Sequence, residues 1–185
     1  YFDIEAEGIF TCCGNEFWKP DPSIPITSAE QIYHKKFKPP QNLLTYLGFQ
    51  TKLSDTPVMS TNHREDRGTM LNFSVVGRDC TYAERIIYYE WDKINKERET
   101  ICKKIMKVFP KLEASAGGQI SVDIYEKGKD KSQIRDKIDG TIYFFGDKTM
   151  KGGNDYPIAS ILKEPDKVFQ VNDWVETYNI LKEMG

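Results

Sequence analysis

The sequence is poor in most of the features that settle a protein's class at once. It holds no apolar run approaching the roughly 18 residues of a membrane-spanning helix, so no membrane span is expected. Its 26 basic and 28 acidic side chains leave a net charge of −2, which argues against a general nucleic-acid binder. The 4 cysteines include an adjacent pair, Cys12 and Cys13, and make neither a disulfide framework nor a zinc site. His34 and His63 stand far apart, with no metal-ligating neighbours at the right spacing. No repeat or low-complexity tract is present. These absences lead to the expectation of a soluble, cytoplasmic, globular protein. Its 10 Phe, 10 Tyr and 3 Trp argue for a packed core rather than disorder. A length of 185 residues suits one large domain or two small ones.

The pattern along the chain changes character twice. Residues 2–18 read as a hairpin turning at Gly14-Asn15, and 19–27 (KPDPSIPIT) read as a proline-rich linker. Leu43, Leu44 and Leu47 predict a short helix over 41–52, and strands are predicted at 57–63 and 69–76. Thr81 with Glu84 forms a capping-box signature that opens a helix, and a second helix is predicted over 97–109. Residues 118–125 alternate like a half-buried strand. The remainder has an α/β rhythm: helix 131–138, strand 141–145, a short helix near 155–162, strand 167–171 and a closing helix from Asn172 to Met184. A middle α+β module thus interrupts an α/β layer.

Two groups of residues carry chemistry. Gly146-Asp147 ends an apolar run, placing a carboxylate just past the carboxyl end of a parallel strand, where open α/β sheets bind ligands. Asp155 follows the glycine pair Gly152-Gly153 at the start of a helix. The two carboxylates are hard oxygen ligands suited to Mg2+, though each alone also fits a turn or N-cap. Gly128-Lys129-Asp130-Lys131, at the start of the preceding helix, offers an ammonium that could neutralise phosphate charge, although lysines at such a position are usually solvated surface groups. In the middle module Arg67, Arg78 and Arg85 are planar forks suited to a phosphate. Ser121 and Asp123 share a strand face and suit sugar hydroxyls. The alternative is a set of exposed, salt-bridged arginines and an ordinary polar strand face.

Three stretches, RGTMLNFSVVGRDCTYAERI (67–86), GGQISVDIYEKGKDK (117–131) and GTIYFFGDKTMKGGNDY (140–156), closely resemble motifs of eukaryotic-type phosphomannomutases, in the haloacid dehalogenase superfamily. The resemblance implies an α/β fold: a Rossmann-type core, incomplete at its N-terminus, with an inserted α+β cap. The expected division is a core segment over 1–26, a cap over 27–127 and a second core segment over 128–185. It implies that Asp147 and Asp155 hold Mg2+, that Lys131 and Asp147 are catalytic, and that Arg67, Met70, Asn72, Arg78, Arg85, Ser121 and Asp123 bind a sugar phosphate. It further implies interconversion of mannose 6-phosphate and mannose 1-phosphate through a phospho-aspartyl enzyme, with a hexose 1,6-bisphosphate activator and a possible homodimer through the cap. A sugar-phosphate phosphatase and a non-catalytic remnant are the competing expectations.

The superfamily's nucleophile motif, Asp-x-Asp-Gly-Thr, occurs nowhere in these residues. With the first residue being Tyr1, an upstream segment is expected to supply it. Residues 159–164 lack the aspartate of the family's further cation loop, which weakens the case for a second metal site.

Overall fold

Helices form where capping and apolar spacing agree. α1 (Gln41–Lys52) follows Pro40 and buries Leu43 and Leu47, within the predicted bounds. α2 (Tyr82–Asn95) starts behind Thr81, whose hydroxyl accepts from Glu84 N while the Glu84 carboxylate accepts from Thr81 N at 2.8 Å. It ends at Lys96, whose left-handed backbone (φ 54°) leads directly into α3 (Glu97–Val108). The computed structural model describes residues 6–20 and 29–184, so the first residues of the predicted hairpin and most of the predicted linker lie outside the described residues. The chain divides into two compact units, Tyr1–Lys129 and Asp130–Gly185.

The first unit is built on an antiparallel four-stranded sheet, in which β4 (Arg64–Asp66), β5 (Leu71–Phe73), β6 (Leu112–Gly117) and β7 (Ser121–Glu126) lie in the order β4-β5-β7-β6. One face carries Leu71, Phe73, Val122, Ile124 and Ala114, which pack with Leu43, Leu47, Tyr88, Ile101, Cys102 and Ile105 of the three helices. Removing each large side chain from water contributes about 1.5–3 kcal/mol. Burial in this core pushes the Cys102 thiol up to about 12. At pH 8 a disulfide reagent is therefore expected to leave Cys102 untouched in the folded chain and to modify it after denaturation. Peptide mass mapping checks this, and rapid labelling of the native thiol would contradict the packing.

A buried ion pair ties the helices to this sheet. Arg98 Nε donates to Asp92 Oδ2 at 2.8 Å, with both side chains under a tenth exposed. The same guanidinium donates through Nη1 to the carbonyls of Gly117 and Gly118 at 3.0 and 3.1 Å, bracing the β6–β7 turn.

Three elements differ from expectation. Residues 57–63 are not a strand. Asn62 takes a positive φ of 59°, and the backbone bonds there, such as Ser60 N to Val76 O and Arg78 N to Asn62 O, are irregular, so the ladder begins only at Arg64. β6 was not anticipated, because Ala, Ser and Gly give its sequence little strand propensity. β3 (Glu30–His34) adds a third strand to the hairpin of β1 (Ile9–Thr11) and β2 (Glu16–Lys19), and its largely exposed residues carry no core signal. In the hairpin turn Asn15 is buried, and its Nδ2 donates to Cys12 O and to Lys129 O at 2.8 and 3.0 Å.

The second unit carries β8 (Tyr143–Gly146) and β9 (Lys167–Gln170) as a parallel pair, as the α/β rhythm predicts. Arg135 fastens their starts. Its Nε donates to Asp166 Oδ2 at 3.0 Å, while Asp166 Oδ1 accepts from Ile142 N at 2.8 Å. The predicted helix 131–138 is a 3-10 segment, Lys131–Lys137, and the helix near 155–162 contracts to the single turn α4 (Tyr156–Ala159). The closing helix is α5 (Trp174–Met184).

Candidate functional site

The polar face of the four-stranded sheet carries a continuous row of side chains. Register pairs Glu65 with Asn72, Asn72 with Asp123, and Asp123 with Ser115, and directly paired residues project from the same face. Asn72, though 2% exposed, is fully engaged: its Nδ2 donates to Asp123 Oδ1 at 2.6 Å, and its Oδ1 accepts from Arg78 Nη1. Arg78 Nη2 also pairs with Glu65 Oε2 at 2.7 Å, and Arg67 Nη2 reaches the same oxygen at 3.2 Å. Burial alone would lower the Arg67 pKa, but the hydrogen bond and charge of Glu65, with Asp123 and Cys12 beyond, raise it.

Two features of the backbone make room for this row. A Cβ on Gly117 would lie 2.6 Å from Asp123 Oδ2, so a glycine is needed for the carboxylate to lie across β6. Met70 is buried, and its carbonyl accepts from Arg67 N at 3.0 Å, closing the tight turn that returns Arg67 to the sheet. Ser121, two residues before Asp123, shares its face, and its carbonyl accepts a long 3.5 Å bond from Arg98. Arg85 stands apart. It lies in the first turn of α2, half-buried, and its guanidinium pairs with none of the described residues.

The second unit builds a different group. Lys131 Nζ lies 2.5 Å from Asp155 Oδ1, and the other oxygen of this buried carboxylate accepts from Lys148 N at 3.1 Å. A Cβ on Gly146 would come within 2.8 Å of Asp155 Oδ2, so the strand end needs a glycine here. Asp147, the next residue, is exposed and pairs with none of the described residues. Asn154 Oδ1 is buried with no hydrogen-bond donor among the described residues.

Asp147 and Asn154 Oδ1 accept no hydrogen bond from the described residues, and each Asp155 oxygen, engaged once by Lys131 or Lys148 N, keeps a further lone pair. Among the described residues no three His, Cys, Asp or Glu side chains gather as a metal centre. A cation here would draw few protein ligands, the habit of Mg2+, which keeps several waters and takes one or two carboxylates. Chemically, the sheet face offers two forks for an anion beside carboxylate and amide acceptors for hydroxyls. The loop after β8 offers hard oxygens, and Lys131, from the 3-10 segment before β8, reaches Asp155 there. Sequence reasoning missed Glu65 and Asn154. Glu65 lies two residues before Arg67, a spacing that places two side chains on one face of an extended strand.

A family model described as eukaryotic phosphomannomutase matches residues 30–184. Phosphomannomutase 1 of Dictyostelium discoideum is 36% identical over 162 residues, covering 81% of this chain and 64% of the relative. The Drosophila melanogaster phosphomannomutase is 36% identical, covering 79% of this chain and 64% of its own length. That of Encephalitozoon cuniculi is 42% identical, covering 56% of this chain and 43% of the relative. The chain therefore spans roughly half to two thirds of the length of these relatives. In fold it is similar to an IMP-bound IMP-nucleotidase variant from Plasmodium falciparum, with a TM-score of 0.51, 15% identity, and coverage of 91% of this chain and 45% of that one.

Proposed function

The chain belongs to the eukaryotic phosphomannomutase family, and on that premise we propose that its sheet face binds the phosphate and hydroxyls of a hexose phosphate. The single observation that carries this reading is the gathering of Arg67 and Arg78 on the row formed by Glu65, Asn72 and Asp123. Arg67 and Arg78 take the phosphate, Asp123 and Ser121 take sugar hydroxyls, and Met70 shapes the turn beneath. Arg85 joins only when ligand is bound. In this reading residues 27–127 form the α+β cap of a haloacid dehalogenase-type protein, and residues 1–26 and 128–185 belong to its Rossmann-type core.

The reaction proposed for the whole protein is interconversion of mannose 6-phosphate and mannose 1-phosphate, primed by a hexose 1,6-bisphosphate. Its nucleophile lies outside these residues. The carboxylates of Asp147 and Asp155 would hold Mg2+, and Asn154 Oδ1, to which no described residue donates, is a further candidate ligand. When bound, the ion supplies positive charge to a transferring phosphoryl group. Lys131 offsets phosphate charge, and Asp155 holds that ammonium in place. A homodimer through the cap belongs to the same proposal; Phe49 and Leu53, at the end of α1, are exposed apolar side chains suited to a contact. The phosphatase alternative has no observation of its own in its favour.

Calorimetric titration of the 185-residue chain tests the reading: mannose 1-phosphate binds and unphosphorylated mannose does not. Equal heats from both sugars would sink it. Asp147→Asn is expected to weaken Mg2+ binding about tenfold or more, because one of very few protein ligands loses its charge. The melting temperature should stay unchanged, since this carboxylate supports nothing else among the described residues. Mg2+ titration followed by amide chemical shifts checks it, and an unaltered affinity would mean that the metal lies elsewhere.

A further inference from the structure

We propose that Glu65 is a positioning residue that holds Arg67 and Arg78 together as one phosphate-binding unit. The inference rests on the sugar-phosphate reading of the sheet face and deepens it. Arg67 and Arg78 lie on either side of β5, with no reason in their own backbone positions to meet. Two guanidiniums repel, and each ends a long side chain with many rotamers to sample. A single carboxylate oxygen, Glu65 Oε2, accepts from both, at 3.2 Å from Arg67 and 2.7 Å from Arg78.

Glu65 is itself well placed to act as a fixed point. It is the middle residue of β4, and its partner across the ladder is Asn72, which also holds Arg78. The carboxylate, the amide and Asp123 therefore form a frame on three adjacent strands, and the arginines are fastened to it. Among the described residues, the clamp uses one donor of Arg67 and two of Arg78. Arg67 Nε and Nη1 and Arg78 Nε are left to meet a ligand. Glu65 and Asp123 also offset the two positive charges, so the face gains little from charge alone and selects its anion by geometry.

The opposite possibility is that Glu65 occupies the arginines as an internal anion that a phosphate must displace. The two differ in sign: a positioning residue weakens binding when removed, and a competitor strengthens it. The test is calorimetric titration of mannose 1-phosphate into the 185-residue wild type, Glu65→Gln, Glu65→Ala, Arg78→Ala and the Glu65→Ala/Arg78→Ala double variant, with a melting temperature for each. Glu65→Ala is expected to raise the dissociation constant about tenfold, and Glu65→Gln, which keeps the shape and an acceptor, about threefold. In the Arg78→Ala background Glu65→Ala is expected to cost about threefold or less, because only Arg67 remains to be positioned and loss of the now unopposed carboxylate offsets part of that cost. A merely structural glutamate would lower the melting temperature without this non-additivity. Unchanged or tighter binding by Glu65→Ala, or an equal loss in both backgrounds, overturns the inference and leaves the sugar-phosphate reading standing. Failure of the wild type itself to bind overturns both.

Discussion

Arg78→Ala is expected to weaken mannose 1-phosphate binding by about tenfold to a hundredfold, which is what one lost charge-assisted pair costs. Arg78 is the most constrained of the candidate phosphate ligands. It is held by Asn72 Oδ1 on one side and Glu65 Oε2 on the other, so its fork is oriented before any ligand arrives. Preorganisation of that kind lowers the entropy lost on binding. The truncation also frees Glu65, whose carboxylate then faces an incoming phosphate with only Arg67 to offset it. Loss should therefore exceed that of Arg85→Ala, since Arg85 has no partner among the described residues to pre-aim it. Calorimetry on the two variants decides this. An affinity unchanged in Arg78→Ala, or a larger loss in Arg85→Ala, would mean that the phosphate lies away from this sheet face.

The largest effect on stability is expected from Arg98→Ala, about 3–5 kcal/mol. Asp92 would be left buried and unpaired, with only the Arg98 backbone N–H to answer it, and the carbonyls of Gly117 and Gly118 would lose their shared donor. Replacing both partners by apolar residues, Asp92→Leu with Arg98→Met, should recover much of that loss, because no charge is then stranded. Urea denaturation measures both variants. The single variant carries a second consequence: with the β6–β7 turn no longer braced, Ser121 and Asp123 lose definition and ligand affinity falls. A single variant within 1 kcal/mol of wild type, on the scale of an ordinary surface change, would contradict the role given to the pair.

The parts of this architecture that sequence reading captured are those with a local physical cause. The capping box at Thr81 and Glu84, the apolar spacing of α1 and the apolar run into Gly146-Asp147 all announce themselves within a few residues. What escaped depends on partners distant in sequence. β6 has small residues and becomes a strand only because β7 pairs along its full length. The strand expected over 57–63 does not form, because Asn62 takes a positive φ and the ladder register starts only at Arg64. The candidate site follows the same division. The arginines and Asp123 are legible as residue types and Asn72 through the family resemblance, but what joins Arg67 to Arg78 is a glutamate that looks like any surface acid until β4 pairs with β5. Asp155 is legible as a carboxylate at the start of a turn, but its contacts with Lys131 and Lys148 N, 24 and 7 residues away, are not.

The central claim is that the polar face of the four-stranded sheet is a sugar-phosphate site. The most direct test is an amide and arginine side-chain NMR titration of the 185-residue chain with mannose 1-phosphate, with mannose and inorganic phosphate as controls. The account predicts saturable shifts at Arg67, Asn72, Arg78, Ser121 and Asp123 with the sugar phosphate, weaker ones with inorganic phosphate and none with mannose. Silence at those residues under saturating sugar phosphate, or shifts centred on another surface, would contradict it.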